Sequence, residues 1–390
     1  MRVEKVHRGA AGEVHFRLLD EDGMLIEEVE AFMGYLAACG CSPNTLSAYA
    51  HDLLHFYRFL GQRAISWEDF TPALSLEFLK YLRKAPSRNG RARRLAPALV
   101  ASEKAPDGLP ATRLSPETVN RAIAAVSSFY EYLIVVGRSD ANTNPVQRKE
   151  DPAYCRVSER PKPFLAGISS GRPVRRIARV KTAVRLPRPM PIEDVEMLLG
   201  SLKKLRDKAM ILLMLQGGLR PGEVLNLSLE DVQYGRRRVI LRYREDHPRG
   251  VRTKSRTERV VDLHEPEALA TLNAYVMRER PVDTDSPFIF VVGGKGKRRC
   301  EPLSYAALVR MFARRCEALG IRKPWVTPHT LRHTHATRMW EGGMRELALQ
   351  KRLGHASPES TRIYTRVSNR AVAEEYRKAL SREQGEKKSR

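Results

Sequence analysis

Residues 327–343, TPHTLRHTHATRMWEGG, decide how the second half of this chain is expected to fold. A capping threonine, an early proline and two closing glycines predict a single helix over this stretch. On that helix His329, Arg332 and His333 have i, i+3 and i+4 spacing, so they share one face close to the N-terminus. Because a helix N-terminus carries partial positive charge, the stretch predicts a site for an anion.

Two other interpretations compete for this stretch. His329 and His333 have the spacing of zinc-binding helices, but Thr330 follows the first histidine where a metalloprotease has a glutamate. A guanidinium beside a metal ion is also unfavourable, so we expect no metal. Polar residues on an exposed helix face remain the plain alternative for this segment taken alone.

Two segments upstream carry further charged side chains. In 213–232, LMLQGGLRPGEVLNLSLEDV, Arg220 follows a Gly-Gly bend and precedes a helix. Glu223 lies three residues on, where it can orient that guanidinium. In 250–263, GVRTKSRTERVVDL, Lys254 lies on or near a predicted hairpin. These segments predict two more cations in the same half of the chain.

One segment downstream carries a histidine and a tyrosine. In 347–367, LALQKRLGHASPESTRIYTRV, a first helix ends at Gly354 and His355 lies in the turn that follows. Tyr364 lies on the next helix. A tyrosine on an amphipathic helix ordinarily packs on a core, and Tyr364 taken alone indicates no more than that.

In this order the segments resemble one family, the tyrosine recombinases or phage integrase family. The matching motifs are GLRPGE around Arg220, TKSRTERVV around Lys254, HTLRHTHAT around His329 and Arg332, LGH at His355, and IYT around Tyr364. The intervals of 23 residues from Arg332 to His355 and nine from His355 to Tyr364 are similar to the family's. Residues 42–60, SPNTLSAYAHDLLHFYRFL, resemble its N-terminal core-binding domain. The resemblance covers roughly Leu25 to Val367.

The resemblance implies an enzyme that cuts and rejoins DNA through a 3′-phosphotyrosine, without ATP, metal or cofactor, as a tetramer on two duplexes. It implies the following catalytic residues: Arg220, Lys254, His329, Arg332, His355 and the nucleophile Tyr364, with Glu223 in support. Lys254 would protonate the leaving oxygen. The chemistry agrees, because arginines clamp phosphate oxygens bidentately at any working pH. A phenol, with a pKa of about 10, needs such neighbours to react near neutrality.

The sequence departs from the family pattern in two places. His335 stands where the family more often has an apolar residue, which we expect to alter packing rather than chemistry. The stretch between Arg220 and Lys254 is longer than in compact members, with residues 243–252, YREDHPRGVR, inserted into the hairpin. The position of Lys254 is therefore less firmly predicted than that of the other residues.

The charge of the chain points to a polyanionic partner. Lysines and arginines number 69 against 45 aspartates and glutamates, a net charge of +24. Two runs without an acidic residue, 83–94 and 160–188, flank or interrupt the helical first half. Solvated faces without a function are the alternative, but we favour contact with DNA phosphates. The candidate DNA contacts are Arg88, Arg91, Arg93, Arg94, Arg175, Arg176, Arg179, Lys181, Lys295 and Lys297.

The predicted fold class is mainly α with a small antiparallel sheet (α+β), in two domains. The boundaries are an N-terminal extension at 1–23, a helical core-binding domain at 24–145 with a basic insertion at 83–114, a basic linker at 146–188, a catalytic domain at 189–378 and a polar tail at 379–390. Five irregularly spaced cysteines indicate neither disulfides nor a zinc ribbon. No stretch is apolar enough for a membrane span or signal peptide, so we expect a cytoplasmic protein associated with the nucleoid.

The expected partners are double-stranded DNA, further copies of the chain and, as candidates, accessory recombination proteins, with no membrane. The length and the basic insertion favour a mobile-element integrase or transposase. Three alternatives stay open: a chromosome-dimer-resolving Xer-like recombinase, a catalytically silent DNA-binding relative, and a topoisomerase-like relaxing enzyme.

Overall fold

The computed structural model describes residues 1–8, 13–87, 113–138, 143–150, 174–182, 188–245, 247–253, 257–355 and 361. The chain divides into two compact units, Met1–Val184 and Arg185–Arg390. Several predicted site residues lie outside the described residues: Arg88, Arg91, Arg93, Arg94, Lys254 and Tyr364. In the part of the chain that is described, no helix is both long and apolar enough to cross a membrane.

The first unit is a helical core closed by two small hairpins. Its helices are α1 (Glu27–Ala38), α2 (Pro43–Arg63), α3 (Pro72–Lys84) and α4 (Pro116–Val135). Each of the last three begins with a hydroxyl side chain that accepts from the backbone N–H three residues on: Ser42, Thr71 and Ser115. A proline follows each of these caps. The apolar faces of these helices meet in one core that includes Phe32, Phe56 and Phe129.

The N-terminal residues belong to this unit, which corrects their assignment to an extension. Strands β1 (Arg2–Arg8) and β2 (Glu13–Leu19) pair antiparallel. Phe16 and Leu18 of β2 are buried in the helical core. The apolar and polar residues of β2 alternate, which is the period-2 signal of a half-buried strand.

The described ends of the predicted linker also belong to the first unit. Strands β3 (Arg148–Glu150) and β4 (Val174–Arg176) pair antiparallel. Val146 and Ala178 lie in the core, and the Asn120 side chain bonds to both backbone groups of Val180 at 2.9 Å. Residues 146–150 and 174–182 are therefore packed structure rather than linker.

The second unit is built around a helix that is buried over most of its length. Its helices are α5 (Ile192–Ser201), α6 (Leu205–Gly217), α7 (Pro221–Leu225), α8 (Pro266–Arg278), α9 (Tyr305–Ala318), α10 (Pro328–Glu341) and α11 (Glu346–Leu353). Every residue of α6 from Ala209 to Gly217 is buried, and α8 and α10 pack on this helix.

A three-stranded antiparallel sheet completes the second unit. Its strands are β5 (Val232–Gln233), β6 (Arg238–Leu241) and β7 (Arg259–Asp262), in that order. Val239 pairs with both Val232 and Val261. The predicted fold class, mainly helical with a small antiparallel sheet, is confirmed. Strand β7 and the ends of α6, α10 and α11 bring distant segments together at the site described next.

Candidate active site

Arg220 and Glu223 form a local unit at the start of α7. Gly218, at a positive φ of 65°, ends α6 and turns the chain so that Arg220 becomes the N-cap of α7. The Arg220 backbone N–H donates to Glu223 Oε2 at 2.8 Å, and its Nη1 donates to Oε1 at 2.7 Å. The carboxylate therefore fixes both the helix start and the guanidinium, in the arrangement that the sequence suggested.

Arg332 lies beside this pair, on α10. Its side chain is 5% exposed, and Nη1 donates to the Gly218 carbonyl at 2.7 Å. The same Nη1 lies 3.8 Å from Glu223 Oε2. The Gly-Gly bend thus positions both arginines: it sets the start of α7, where Arg220 lies, and its Gly218 carbonyl accepts a hydrogen bond from Arg332 on α10.

A third arginine, Arg259 on β7, completes the cluster and was missed by the sequence analysis. Its Nη1 and Nη2 donate to the two oxygens of Glu223 at 3.0 and 2.8 Å, and its side chain is 9% exposed. The signal was available, since Arg259 shares a strand face with the buried Val261. A charged residue on an inward strand face needs a buried partner.

The C-terminal end of α11 joins the three arginines. The carbonyls of Arg352, Leu353 and Gly354 accept from Arg259 Nε at 3.1 Å, Arg332 Nη2 at 2.6 Å and Arg220 Nη2 at 3.0 Å, respectively. The last carbonyls of a helix lack intrahelical partners and carry partial negative charge. Three consecutive peptide groups thus bind one guanidinium each.

The charges of this arginine cluster, Arg220, Arg259, Arg332 and Glu223, do not balance. Three guanidinium groups share one carboxylate, which leaves two positive charges over in these four side chains. Burial would raise the pKa of Glu223, but the hydrogen bonds and charge of Arg259, with the charges of Arg220 and Arg332, lower it to about 2. The carboxylate is therefore ionised, and the cluster is suited to bind an anion such as a phosphodiester.

His355 lies next to the cluster, directly after α11. Burial, and then the charges of Arg332 and Arg220, lower its pKa to about 4, so it is neutral at pH 7. Its Nδ1 lies 2.8 Å from the hydroxyl of Thr361, which is fully buried. Thr361 is three residues before Tyr364, so the described residue nearest the predicted nucleophile is tied to His355.

His329 and His333, the two α10 histidines predicted at the site, differ in exposure. His329 is exposed in the first turn, with Nε2 3.4 Å from the hydroxyl of Tyr305. His333 is half-buried, and burial with the charge of Arg332 lowers its pKa. Among the described residues no group of three or more histidines, cysteines or acids is placed to hold a metal ion.

His335 packs deep in the second unit and is fixed at both ring nitrogens. Nδ1 donates to the Leu215 carbonyl at 2.8 Å, and Nε2 accepts from Arg352 Nε at 3.0 Å. Its ring also fills the space beside Gly218, where a Cβ would lie 2.5 Å from Cδ2. The histidine thus links α10 to α6 and α11, behind the arginine cluster.

The chain on both sides of Lys254 is held against α7. Asn226 Nδ2 donates to the Val251 carbonyl at 3.3 Å, and a Cβ on Gly222 would lie 2.9 Å from the Arg252 carbonyl oxygen. Arg259, five residues after Lys254, binds Glu223 of the same helix. Lys295 and Lys297 are exposed in the loop that follows Val292 and have no described contact with the cluster.

The first unit carries a separate group of basic residues. A cavity of about 420 Å³ is lined by Arg148, Arg175, Arg176 and Arg179 together with Asn120 and Ala178. The Nε atom of Arg176 is buried and finds no hydrogen-bond partner among the described residues. Lys181 is exposed two residues beyond Arg179. Three of the predicted DNA contacts therefore line one cavity, with Arg148 added by the fold.

The sequence is similar to those of known proteins. The chain matches the Phage integrase family over residues 189–370 and the Phage integrase N-terminal SAM-like domain over residues 29–101. It is 28% identical to transposase A from transposon Tn554 of Staphylococcus aureus over 389 residues, 99% of this chain and 100% of that protein. It is 26% identical to the tyrosine recombinase XerC of Caldanaerobacter subterraneus, over 89% of this chain and 84% of that protein.

A solved structure supports the same fold. The Tn1549 transposon integrase, in complex with transposon right end DNA, is 17% identical, has a TM-score of 0.57, and matches over 90% of this chain and 98% of that one. The two family matches lie in the two compact units and together span more than half of the sequence. The chain therefore belongs to the phage integrase family, the tyrosine recombinases.

Proposed function

We propose that this protein is a site-specific DNA recombinase that cuts and rejoins double-stranded DNA through a covalent bond to Tyr364, in the service of a mobile genetic element. The observation that carries the proposal is the arginine cluster, with two positive charges in excess next to a neutral His355. A phosphodiester undergoing substitution gains charge on its non-bridging oxygens, and fixed donors aimed at them stabilise the transition state.

The proposed roles follow from this charge. Arg220 and Arg332 bind the non-bridging oxygens of the scissile phosphate. His329 and His355 donate further hydrogen bonds, and one of the two accepts the phenol proton. Each such donor, if fixed in advance, is worth about 2.7–4 kcal/mol of transition-state stabilisation.

The proposed reaction exchanges one phosphoester for another. The phenolic oxygen of Tyr364 attacks phosphorus and loses its proton to a histidine. The bond from phosphorus to the 5′ oxygen breaks, and Lys254 protonates that oxygen. A DNA 5′-hydroxyl then attacks the 3′-phosphotyrosine and restores the phosphodiester, so ATP is not consumed. The contacts of Val251 and Arg259 with α7 and its end, and of Thr361 with His355, support a place for Lys254 and Tyr364 near the arginines.

We further propose that the first unit holds the duplex. The arginine-lined cavity around Arg176 suits a backbone phosphate, and a second groove is lined by Lys80, Arg83, Lys84 and Arg113. The candidate contacts Lys295 and Lys297 are exposed on the second unit. Because recombination needs two duplexes, four copies of the chain would assemble, with accessory proteins where the site requires them, on the nucleoid in the cytoplasm.

The similarity to a transposase over nearly the whole of both chains favours mobile-element recombination. Chromosome-dimer resolution is the second candidate, favoured by the similarity to XerC. A requirement for the ends of an element, rather than for a chromosomal site, would separate the two. A silent DNA-binding relative would bind the same DNA without forming a covalent bond.

A nicked suicide duplex made from the DNA that flanks the gene tests the proposal. A nick next to the cleavage position lets a short fragment diffuse away, so the covalent complex accumulates and survives denaturing gels. We expect wild type to trap DNA, the DNA-linked peptide to contain Tyr364, and Tyr364→Phe to bind DNA without trapping it. Equal trapping by wild type and Tyr364→Phe would refute the assigned nucleophile.

A further inference from the structure

Arg259 commits three nitrogens of its guanidinium to partners inside the second unit. Nη1 and Nη2 face the two oxygens of Glu223, and Nε donates to the Arg352 carbonyl. A planar guanidinium that binds both oxygens of a carboxylate fixes the plane of that carboxylate. Arg259 therefore sets the orientation of Glu223 from β7, a strand remote in sequence.

This orientation determines how Glu223 meets the other two arginines. Arg259 holds both carboxylate oxygens, and Arg220 engages Oε1 through Nη1 alone, while its Nη2 turns to the Gly354 carbonyl. Arg332 stays 3.8 Å from Oε2. Without Arg259, Glu223 is left to form a two-point pair with Arg220 or Arg332, which would draw that guanidinium away from a phosphate.

Charge leads to the same conclusion. With Arg259 the four side chains of the cluster carry two positive charges in excess; without it the remaining three carry one. Arg259 therefore neutralises Glu223 in place of the arginines that are assigned to the phosphate. Its hydrogen bond to the Arg352 carbonyl also fixes Arg259 to the end of α11, which His355 follows.

We infer that Arg259 is a positioning residue for phosphoryl transfer: by occupying Glu223 and the end of α11, it keeps Arg220 and Arg332 in place for the scissile phosphate. This inference rests on the proposed function. It predicts a defect in the chemical step and not in DNA binding, since Arg259 acts through other side chains. Misplacement of such groups by about 1 Å costs roughly 100-fold in rate.

The test uses the full chain with Arg259→Gln and Arg259→Lys. On the nicked suicide duplex, at saturating protein, both variants should cleave about 100-fold more slowly than wild type, with DNA affinity changed less than about threefold. Lysine should not restore the rate, because it keeps the charge but cannot bind both oxygens of Glu223.

A second substrate separates positioning from a general loss of structure. A methylphosphonate at the scissile position replaces one charged oxygen with a methyl group, so the reaction depends less on the arginines. The defect of Arg259→Gln should then shrink to less than about tenfold. A defect of the same size on both substrates would overturn the inference.

Arg244 offers a matched control. It forms a comparable two-point pair with the buried Asp231, at 2.6 and 3.0 Å, in the same unit. Arg244→Gln should lower stability and leave the cleavage rate within about threefold of wild type. Full activity of Arg259→Gln beside an active wild type would refute the inference alone, whereas a wild type that traps no DNA would remove the proposed function and this inference with it.

Discussion

Gly354 lies against the guanidinium of Arg259: a Cβ at Gly354 would stand 2.5 Å from Nη1 and 2.8 Å from Cζ. Gly354 also has a positive φ of 62°, as the residue that ends α11. The guanidinium is held by Glu223 and by the Arg352 carbonyl, so it cannot move aside without breaking those bonds. The position of the Arg259 guanidinium therefore depends on residue 354 having no side chain.

We predict that Gly354→Ala slows DNA cleavage by about 100-fold, because it displaces Arg259. Backbone strain alone costs roughly 1–2 kcal/mol at a left-handed position. Gly320 provides the matched control, since it ends α9 at a φ of 69° with nothing within 4 Å of a Cβ. Gly320→Ala should lose similar stability and keep its cleavage rate. Equal rates for the two variants on the suicide duplex would contradict this role of Gly354.

Glu223→Gln should destabilise the second unit, since it removes the charge that three arginines share. Burial raises the pKa of Glu223, but Arg259, Arg220 and Arg332 lower it from 4.5 to about 2. A lowered folded-state pKa stabilises the fold above pH 4.5, and this stabilisation is lost as the pH falls through 2. The shift corresponds to about 3 kcal/mol at pH 7.

Urea unfolding measures this effect. In a Trp67→Phe background, the fluorescence of Trp325 and Trp340 reports the second unit, since these are the three tryptophans of the chain. The difference in unfolding free energy between wild type and Glu223→Gln should be largest near neutrality and shrink below pH 4.5. Glu230→Gln is the comparison, because its side chain is 70% exposed and its ion pairs should contribute less than about 1 kcal/mol. A difference that does not change with pH would contradict the charge argument.

Local patterns in the sequence carry much of this fold. A capping residue such as Thr327 predicts a helix start that the structure confirms, because a cap is satisfied within three residues. Strand β7, Arg259–Asp262, also lies within the segment predicted to form a hairpin. The N-terminal hairpin was missed because a short alternating stretch among charged residues is a weaker signal than a helix stripe.

In the site, too, contacts between residues close in sequence were predictable and contacts between distant residues were not. Glu223 was predicted from its spacing to Arg220, three residues away. The bonds from Arg220 to Gly354, 134 residues apart, and from Arg259 to Arg352, 93 apart, arise only when α11 packs against α7 and β7. Periodicity describes one segment at a time and carries no information on which carbonyl a distant arginine reaches.

His335 makes the stability of the second unit sensitive to acid. Burial, and then the charge of Arg352, lower its pKa from 6.5 to about 4. The folded state therefore binds this proton at a lower pH than the unfolded state does. The stabilisation is complete above pH 6.5 and is lost as the pH falls through 4, by up to about 3 kcal/mol. Part of this acid sensitivity is shared by His355, whose pKa is also lowered to about 4.

We predict that His335→Leu flattens the fall in unfolding free energy between pH 6.5 and 4, leaving the share of His355. At pH 7 the variant should be less stable by roughly 1–3 kcal/mol, since the Leu215 carbonyl and Arg352 Nε lose a partner. Urea unfolding at several pH values, with the same tryptophan reporters, measures both effects. An unchanged pH slope would show that His335 does not titrate with folding.

Arg176 carries a cost to the fold, and we propose that binding of a DNA phosphate offsets it. It lies directly opposite Arg148 in the β3–β4 pair, and like charges in that position destabilise a sheet by roughly 0.2–1 kcal/mol. Burial, and then the charge of Arg148, lower its pKa, and its buried Nε has no partner among the described residues. Arg148 itself pairs with Glu131. A phosphate in the cavity would offset the repulsion between the two arginines and give the Nε of Arg176 a partner.

Arg176→Gln should therefore weaken DNA binding while the first unit becomes as stable or slightly more stable. Removal of one phosphate contact lowers the slope of log K against log salt by about 0.9. Fluorescence anisotropy with a duplex of arbitrary sequence, measured from about 50 to 200 mM salt, gives this slope. Lys5→Gln, which removes an exposed charge from β1, should leave the slope unchanged. Equal slopes for wild type and Arg176→Gln would mean that this cavity takes no backbone phosphate, and the excess of arginines there would then be a cost to the fold without a gain in binding.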